Sequence, residues 1–406
     1  MASTIKKRLV GDLALFGGPP AFDSVCSASN LVRPDIERFL HYVRPVYASR
    51  QLIDNGPLVQ KLEKRLADIH QTAYCVASCS GFMALMVTMH VLAIPGKHEV
   101  IMPSLTYRRM ADIAAWAGLV PHFCDVDEHS LGVTARTVEL CINSNTALIL
   151  GVHPITNLCD IQGLERLSAQ NNIPLLFDSV EAAWASYNGR MIGSFGKAEV
   201  FSLHASKLIN GFEGGYITTD DREVADAVRT VSRFGFREDD SMARLGINAK
   251  LNEIHAAMAL ACLDDLDNQI NRNRARHHAY QEFLAPISGI YVIPYDDTEK
   301  RGYKNILVRI NDSWMLSREH TLRILHAENL LARPYYFPPL HIKSTSFKTI
   351  RCDDLRVTEA SSNRYMLLPC GEFVSIEDIR IIADILVFLQ KEGSEVRAQL
   401  EKEVPA

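Results

Sequence analysis

Apolar positions change their period repeatedly between residues 57 and 219. Residues 57–71 carry Leu58, Leu62, Leu66 and Ile69 at helical spacing. A short apolar run at 73–77 predicts a strand. The small-residue turn Ser78-Cys79-Ser80-Gly81 follows, and then a helix over 82–92. The alternation continues with strands at 99–102, 120–124, 147–152 and 174–177, and helices at 106–117, 134–141 and 161–170. Residues 200–203 and 216–219 supply two more strands, seven in all. Strands alternating with helices predict an α/β fold, a mostly parallel sheet covered on both faces. Ligands of such sheets sit at the carboxyl ends of the strands.

The pattern differs at both ends. Residues 1–56 read as an irregular N-terminal segment, with Gly-Gly-Pro-Pro at 17–20 and a helical piece over 34–48. Residues 57–284 read as a large domain that closes with a surface helix at 222–233 and a long helical stretch at 251–284. Residues 285–406 read as a smaller C-terminal α+β domain, with strands at 289–293 and 305–310 and helices at 317–328 and 375–391.

Composition narrows the function classes. The 406 residues carry a formal net charge of -5, which argues against a general nucleic-acid or anionic-membrane binder. No apolar run approaches the roughly 20 residues of a bilayer span, and the first residues lack the pattern of a secretory signal. The nine cysteines are scattered without a CxxC pair or zinc-like spacing. The expectation is a cytoplasmic protein with reduced thiols and no metal.

One lysine stands out. Lys207 lies in a turn after the strand at 200–203, between apolar or small neighbours and a glycine-rich turn (Gly211, Gly214, Gly215). Desolvation would make its amine easier to deprotonate, hence nucleophilic and suited to a Schiff base. Asp178 ends the strand at 174–177, 29 residues earlier (207 − 178), and could hold a pyridine nitrogen protonated. Tyr107 could cover a ring face. The Ser80-Gly81 turn ahead of a helix could aim backbone amides at a phosphate. Each residue follows an apolar strand, so one site could gather all four.

Together these stretches resemble the DegT/StrS-type (DegT/DnrJ) aminotransferases, a fold-type-I family dependent on pyridoxal 5'-phosphate and best known for aminating nucleotide-linked keto sugars. The resemblance runs over nearly the whole chain. It is carried by NGPLVQKLE, CSGFMAL, EVIMPSLTY, PHFCDVD, LLFDSVEAA, GRMIGSFGKAEVFSLHASKLINGFEGGYITT, LGINAKLNEIHAAM, HAENLLARPYYFPPLH and LPCGE, in that order. It implies that Lys207 forms the internal Schiff base and shuttles a proton, that Asp178 pairs with the pyridine nitrogen and that Tyr107 stacks on the ring. Ser202 and the backbone at Gly81, Phe82 and Met83 would hold the phosphate. Asn248 would reach the phosphate of a neighbouring subunit, so a homodimer with shared sites is implied. Tyr335, Tyr336 and His341 would lie near the keto substrate, and glutamate would be a typical amino donor.

The departures from the family pattern cluster near this site. Phe82 replaces a threonine, Glu181 stands where Gln or His is usual, and Trp184 replaces a small residue. His153-Pro154-Ile155-Thr156 is unusual too, and Arg108-Arg109 follows Tyr107. A carboxylate at 181 would repel a phenolate unless protonated or turned away. Arg108 could grip an anionic substrate. The leading expectation is an aminotransferase acting on a nucleotide-linked keto sugar. A rebuilt pocket for a non-sugar metabolite and a cofactor-binding regulator without turnover are the alternatives.

Overall fold

The computed structural model describes residues 6–29, 31–53, 55–236 and 241–403. Its centre is an eight-stranded sheet. Across the sheet the order is Ile350–Arg351, Val120–Cys124, Glu99–Pro103, Thr146–Val152, Leu175–Asp178, Ala198–Ser202, Gly215–Thr219 and Tyr74–Ser78. Neighbours pair in parallel, except that Gly215–Thr219 runs antiparallel to both of its partners. Seven strands correspond to the expected ones. The eighth, Ile350–Arg351, comes from the C-terminal part of the chain and has two residues, too few for periodicity to mark.

The central strands are buried on both faces, which is why they read as continuous apolar runs rather than as alternation. One face packs on Leu62, Leu66, Leu260 and Leu263, the other on Leu85, Val87, Ile113 and Val228. A separate core gathers Ile306, Val308, Met366, Leu368, Ile382 and Leu386 with Val10, Leu13 and Phe22 from the N-terminal segment. That segment is therefore not all loose chain. Cys26–Ser27 pairs in parallel with Leu330–Leu331. The buried carboxylate of Glu328 accepts from Ala14 N at 2.8 Å and Ala21 N at 2.7 Å, with the Lys7 ammonium 2.9 Å away.

Two elements differ from their expected length. The helix expected over 106–117 is Met110–Trp116, because Ser104 and the residues after it are held as a loop by contacts with the C-terminal part, described below. The helical stretch 251–284 is two helices, Glu253–Leu263 and Leu266–Leu284. The break falls at Asp264-Asp265, where Asp264 turns its carboxylate to Arg65 (2.6 Å) and Tyr42 (2.9 Å).

The expectation of nine reduced thiols is corrected at one place. Cys141 and Cys352, 211 residues apart, form a disulfide with a Cα separation of 6.1 Å. The long-range pairing of Ile350–Arg351 with Val120–Cys124 brings them together, and nothing local in the sequence signals it. The other seven cysteines are free thiols.

The LNE of LGINAKLNE has a structural explanation. Glu253 is fully buried, and its carboxylate accepts from Leu58 N at 2.8 Å and Val59 N at 3.0 Å, capping the helix Pro57–His70 from outside. Gly56 admits this side chain, since a Cβ there would lie 2.6 Å from Glu253 Cδ. Glu253→Ala strands two buried amides, and we expect it to cost about 2–4 kcal/mol of unfolding free energy, measured by urea denaturation. A loss below roughly 0.5 kcal/mol would show that water replaces the cap.

Candidate active site

The carboxyl ends of the strands Leu175–Asp178 and Ala198–Ser202 lie side by side, so the residues that follow them meet. Asp178 ends the first, and only 7% of its surface is exposed. Its Oδ1 accepts from Val180 N at 3.1 Å. Burial pushes the Asp178 carboxyl up to about 6, and the Val180 amide and Lys207 only partly offset it. Such a carboxylate is poised to take a cationic partner.

Lys207 sits in the turn beyond the second strand, its amide hydrogen-bonded to His204 O at 2.8 Å. Its Nζ lies 2.5 Å from Glu181 Oε1. The expectation of an amine eased toward neutrality is corrected here. Burial does act that way, but the Glu181 carboxylate, then Asp178, outweighs it and holds Lys207 above its ordinary range. In the protein alone Lys207 is an ammonium ion.

Glu181 is the residue the sequence left ambiguous. It lies in a single 3-10 turn, Val180–Ala182, directly after Asp178. Its Oε2 receives Lys304 Nζ at 3.2 Å and Asn305 Nδ2 at 3.0 Å. Burial opposes its ionisation, yet Lys207 and Lys304 hold it far below the usual carboxylate range. Lys304 itself is held down by burial, with Glu181 pulling the other way. Lys304 and Asn305 were missed in the sequence. They lie more than 120 residues from Glu181 on the entry to the strand Ile306–Ile310, and nothing near them forms a motif.

A second part of the site is built at the N-terminus of the helix Gly81–Leu92. Ser80 caps it, accepting from Met83 N at 3.1 Å, so of the three expected amides Met83 is already engaged. The Gly81 and Phe82 amides donate to no group of the chain among the described residues. The backbone here is closely packed. A Cβ at Gly81 would lie 2.9 Å from Ser202 Cβ, and one at Gly215 2.6 Å from Gly81 N. Ser202 ends its strand beside this turn, its Oγ accepting from His204 N at 3.2 Å.

The remaining expected residues divide. Tyr107 is 46% exposed in the loop after Glu99–Pro103. Arg108 and Arg109 are exposed beside it, Arg109 pairing with Asp112 at 3.6 Å. Lys343 joins them, its Nζ 3.5 Å from Arg108 O, and burial followed by Arg108 holds its ammonium below the ordinary range. Tyr336 is half-buried, and its hydroxyl is raised by burial and then by Glu181, which puts it in the same electrostatic environment. Tyr335 is fully buried among Leu105, Val126, Ile155 and Leu307. His341 is locked in place, Nδ1 at 2.7 Å from Ser104 Oγ and Nε2 at 3.3 Å from Glu359 Oε1. Asn248 is exposed and does not join this cluster. His153 stacks on Phe177 at 5.2 Å beneath Asp178, kept neutral because burial pushes it down to about 3. Trp184 lies under the Lys300 ammonium, 5.6 Å from the ring centroid.

A lysine, two carboxylates of opposed tendency and a helix N-terminus thus meet at the carboxyl edge of a mostly parallel sheet, the arrangement expected of a fold-type-I aminotransferase. The chain belongs to the DegT/DnrJ/EryC1/StrS aminotransferase family, whose profile matches residues 34–387. This family depends on pyridoxal phosphate. The dTDP-4-amino-4,6-dideoxy-D-glucose transaminase of Shigella dysenteriae is 25% identical over 353 residues, covering 87% of this chain and 96% of that protein. The GDP-perosamine synthase of Caulobacter vibrioides is 28% identical, covering 81% and 89%. The solved structure of DesI in the presence of its TDP-sugar product superposes with a TM-score of 0.91 at 32% identity, covering 97% of this chain and all of DesI.

The raised Asp178 carboxyl gives a pH prediction. A buried carboxylate that ionises at about 6 folded and near its ordinary 3.8 unfolded costs stability above 6 and nothing below 3.8. Without cofactor, Asp178→Asn should therefore be more stable than the wild type by roughly 1–3 kcal/mol at pH 8. The advantage should shrink as pH falls from 6 to 4, followed by thermal melts across that range. A constant difference would show that Asp178 is not the titrating group.

Proposed function

We propose that the chain binds pyridoxal phosphate and uses it to aminate the keto group of a nucleotide-linked sugar, with glutamate as donor. The observation that carries the cofactor part is that Lys207 and Asp178 share the strand ends with a helix N-terminus whose first amides are unengaged among the described residues. This terminus, with the Gly81 and Phe82 amides, lies beside Ser202, where glycines keep the backbone close. The residues present fit the group. When bound, it supplies an electron-withdrawing pyridinium ring and a carbonyl for amine exchange.

The chain's residues do the rest. The Asp178 carboxylate would accept a hydrogen bond from the pyridinium N–H of the group, whose positive charge would relieve the penalty of its burial. Tyr107 would cover one face of the ring. Lys207 Nζ would hold the group by its carbonyl carbon and, when released from it, would be the base placed to take and give back the substrate proton. While Lys207 is so engaged, Lys304 and Asn305 keep their hold on Glu181. The carboxylate thus stays ionised and turned toward them, which answers the repulsion that Gln or His would avoid.

The sugar part rests on the relatives and on one feature of the mouth. Arg108, Arg109 and Lys343 form a cationic group beside Tyr107, suited to the diphosphate of a sugar nucleotide. We also infer a homodimer. Phe234, Phe236, Met242, Leu245 and Ile247, all exposed, precede Asn248, so an apolar surface would bring that asparagine to a second copy.

The test is to incubate purified protein, cofactor and glutamate with dTDP-4-keto-6-deoxy-D-glucose and to follow the amino sugar and 2-oxoglutarate together. Equal formation of both supports the reading. Formation of 2-oxoglutarate in a single turnover, with no nucleotide keto sugar aminated, would move the substrate to another class. In the same assay Arg108→Ala combined with Lys343→Ala should raise KM for the sugar nucleotide on the order of tenfold. KM for glutamate should stay unchanged, and a parallel rise in both would remove the cationic group from substrate recognition.

A further inference from the structure

Away from Lys207, at the edge of the sheet, three donor atoms converge from distant stretches. His122 lies on the strand Val120–Cys124, Cys141 just past the helix Ala135–Glu139, and Cys352 just past Ile350–Arg351, whose Ile350 is in register with His122. The imidazole nitrogen and both sulfurs lie within 4.8 Å of one another, with Cys352 Sγ 4.0 Å from His122 Nε2. His122 and Cys141 are buried and Cys352 is half-buried.

The other side of the imidazole is fixed with care. His122 Nδ1 lies 3.1 Å from Glu99 Oε2. Asn143 Nδ2 donates to the same oxygen at 2.8 Å, and Asn145 Nδ2 to Oε1 at 3.0 Å. A carboxylate so placed puts the proton on Nδ1 and turns the Nε2 lone pair toward the sulfurs. Disulfide sulfurs carry no proton, so in the oxidised state that lone pair has no donor to meet. A disulfide does not require an oriented imidazole, but a metal centre does: histidine ligands usually donate their second nitrogen to a carboxylate. Two thiols and one imidazole are the donor set of a thiophilic divalent cation.

We propose that His122 Nε2, Cys141 Sγ and Cys352 Sγ bind one Zn2+-class cation when the cysteines are reduced, solvent completing the tetrahedron. The Cys141–Cys352 disulfide is the metal-free, oxidised form of the same site. A dithiol reductant passes two electrons and two protons to the disulfide and itself becomes a disulfide. The cation then displaces the two thiol protons, so binding strengthens as pH rises. Either form ties Ile350–Arg351 to the sheet, and with it the run of chain from His341. The three residues are separated by 19 and 211 positions (141 − 122 and 352 − 141), which is why no ligand spacing is visible in the sequence.

The experiment reduces the holoprotein with a dithiol, removes the reductant anaerobically and titrates with Cd2+, reading the thiolate-to-metal absorbance, and with Zn2+, reading metal content. We expect one equivalent per chain. The Cys141→Ser/Cys352→Ser double variant, checked for an unchanged circular dichroism spectrum, should lose the signal although seven other cysteines remain. Glu99→Gln should weaken binding by about 10- to 100-fold, as loss of an orienting carboxylate does. A reduced wild type that takes up no cation overturns the proposal, as does a signal of equal size in the double variant.

Discussion

The carboxylate of Glu181 between two ammonium groups is the interaction on which the site depends. Burial alone would neutralise any one of these three side chains. Together they stay charged, because Lys207 lies 2.5 Å from one oxygen and Lys304 3.2 Å from the other. The arrangement keeps Lys207 an ammonium ion in the protein alone. It also couples the two parts of the chain, since Lys304 and Asn305 enter from the C-terminal part and Glu181 from the large sheet. Asp178, one turn away, has no such partner in the protein alone, and its carboxyl rises where that of Glu181 falls. Two neighbouring carboxylates with opposite tendencies can hold different roles in one reaction.

The large sheet was legible in the sequence because its strands are buried on both faces and its helices are periodic. Lys207, Asp178, Ser202 and the Ser80-Gly81 turn were legible because parallel topology sends strand ends to one edge. What escaped came from long-range pairing. Ile350–Arg351 is too short to carry a pattern, and the Cys141–Cys352 bond depends on that strand. Lys304 sits before an ordinary apolar strand, so its burial against Glu181 had no local sign. The ionisation of Lys207 was misread for the same reason. The sequence showed its apolar flanks but not the carboxylate facing it.

The C-terminal part does more than complete a second core. Between Tyr335 and Cys352 it brings Tyr336 within electrostatic reach of Glu181 and anchors His341 on Ser104, and it ends as the edge strand of the large sheet. The loop carrying Tyr107, Arg108 and Arg109 is held against it by the contacts of Ser104 and Lys343. These residues therefore rest where the C-terminal part meets the large sheet.

The most direct measurement is the visible absorbance of purified protein with added pyridoxal phosphate, for the wild type and Lys207→Ala, before and after glutamate. We expect a visible band in the wild type that glutamate bleaches, and no such lysine-dependent band in the variant. Identical spectra from the two proteins would contradict the role given to Lys207. A wild-type band indifferent to glutamate would contradict the proposed donor.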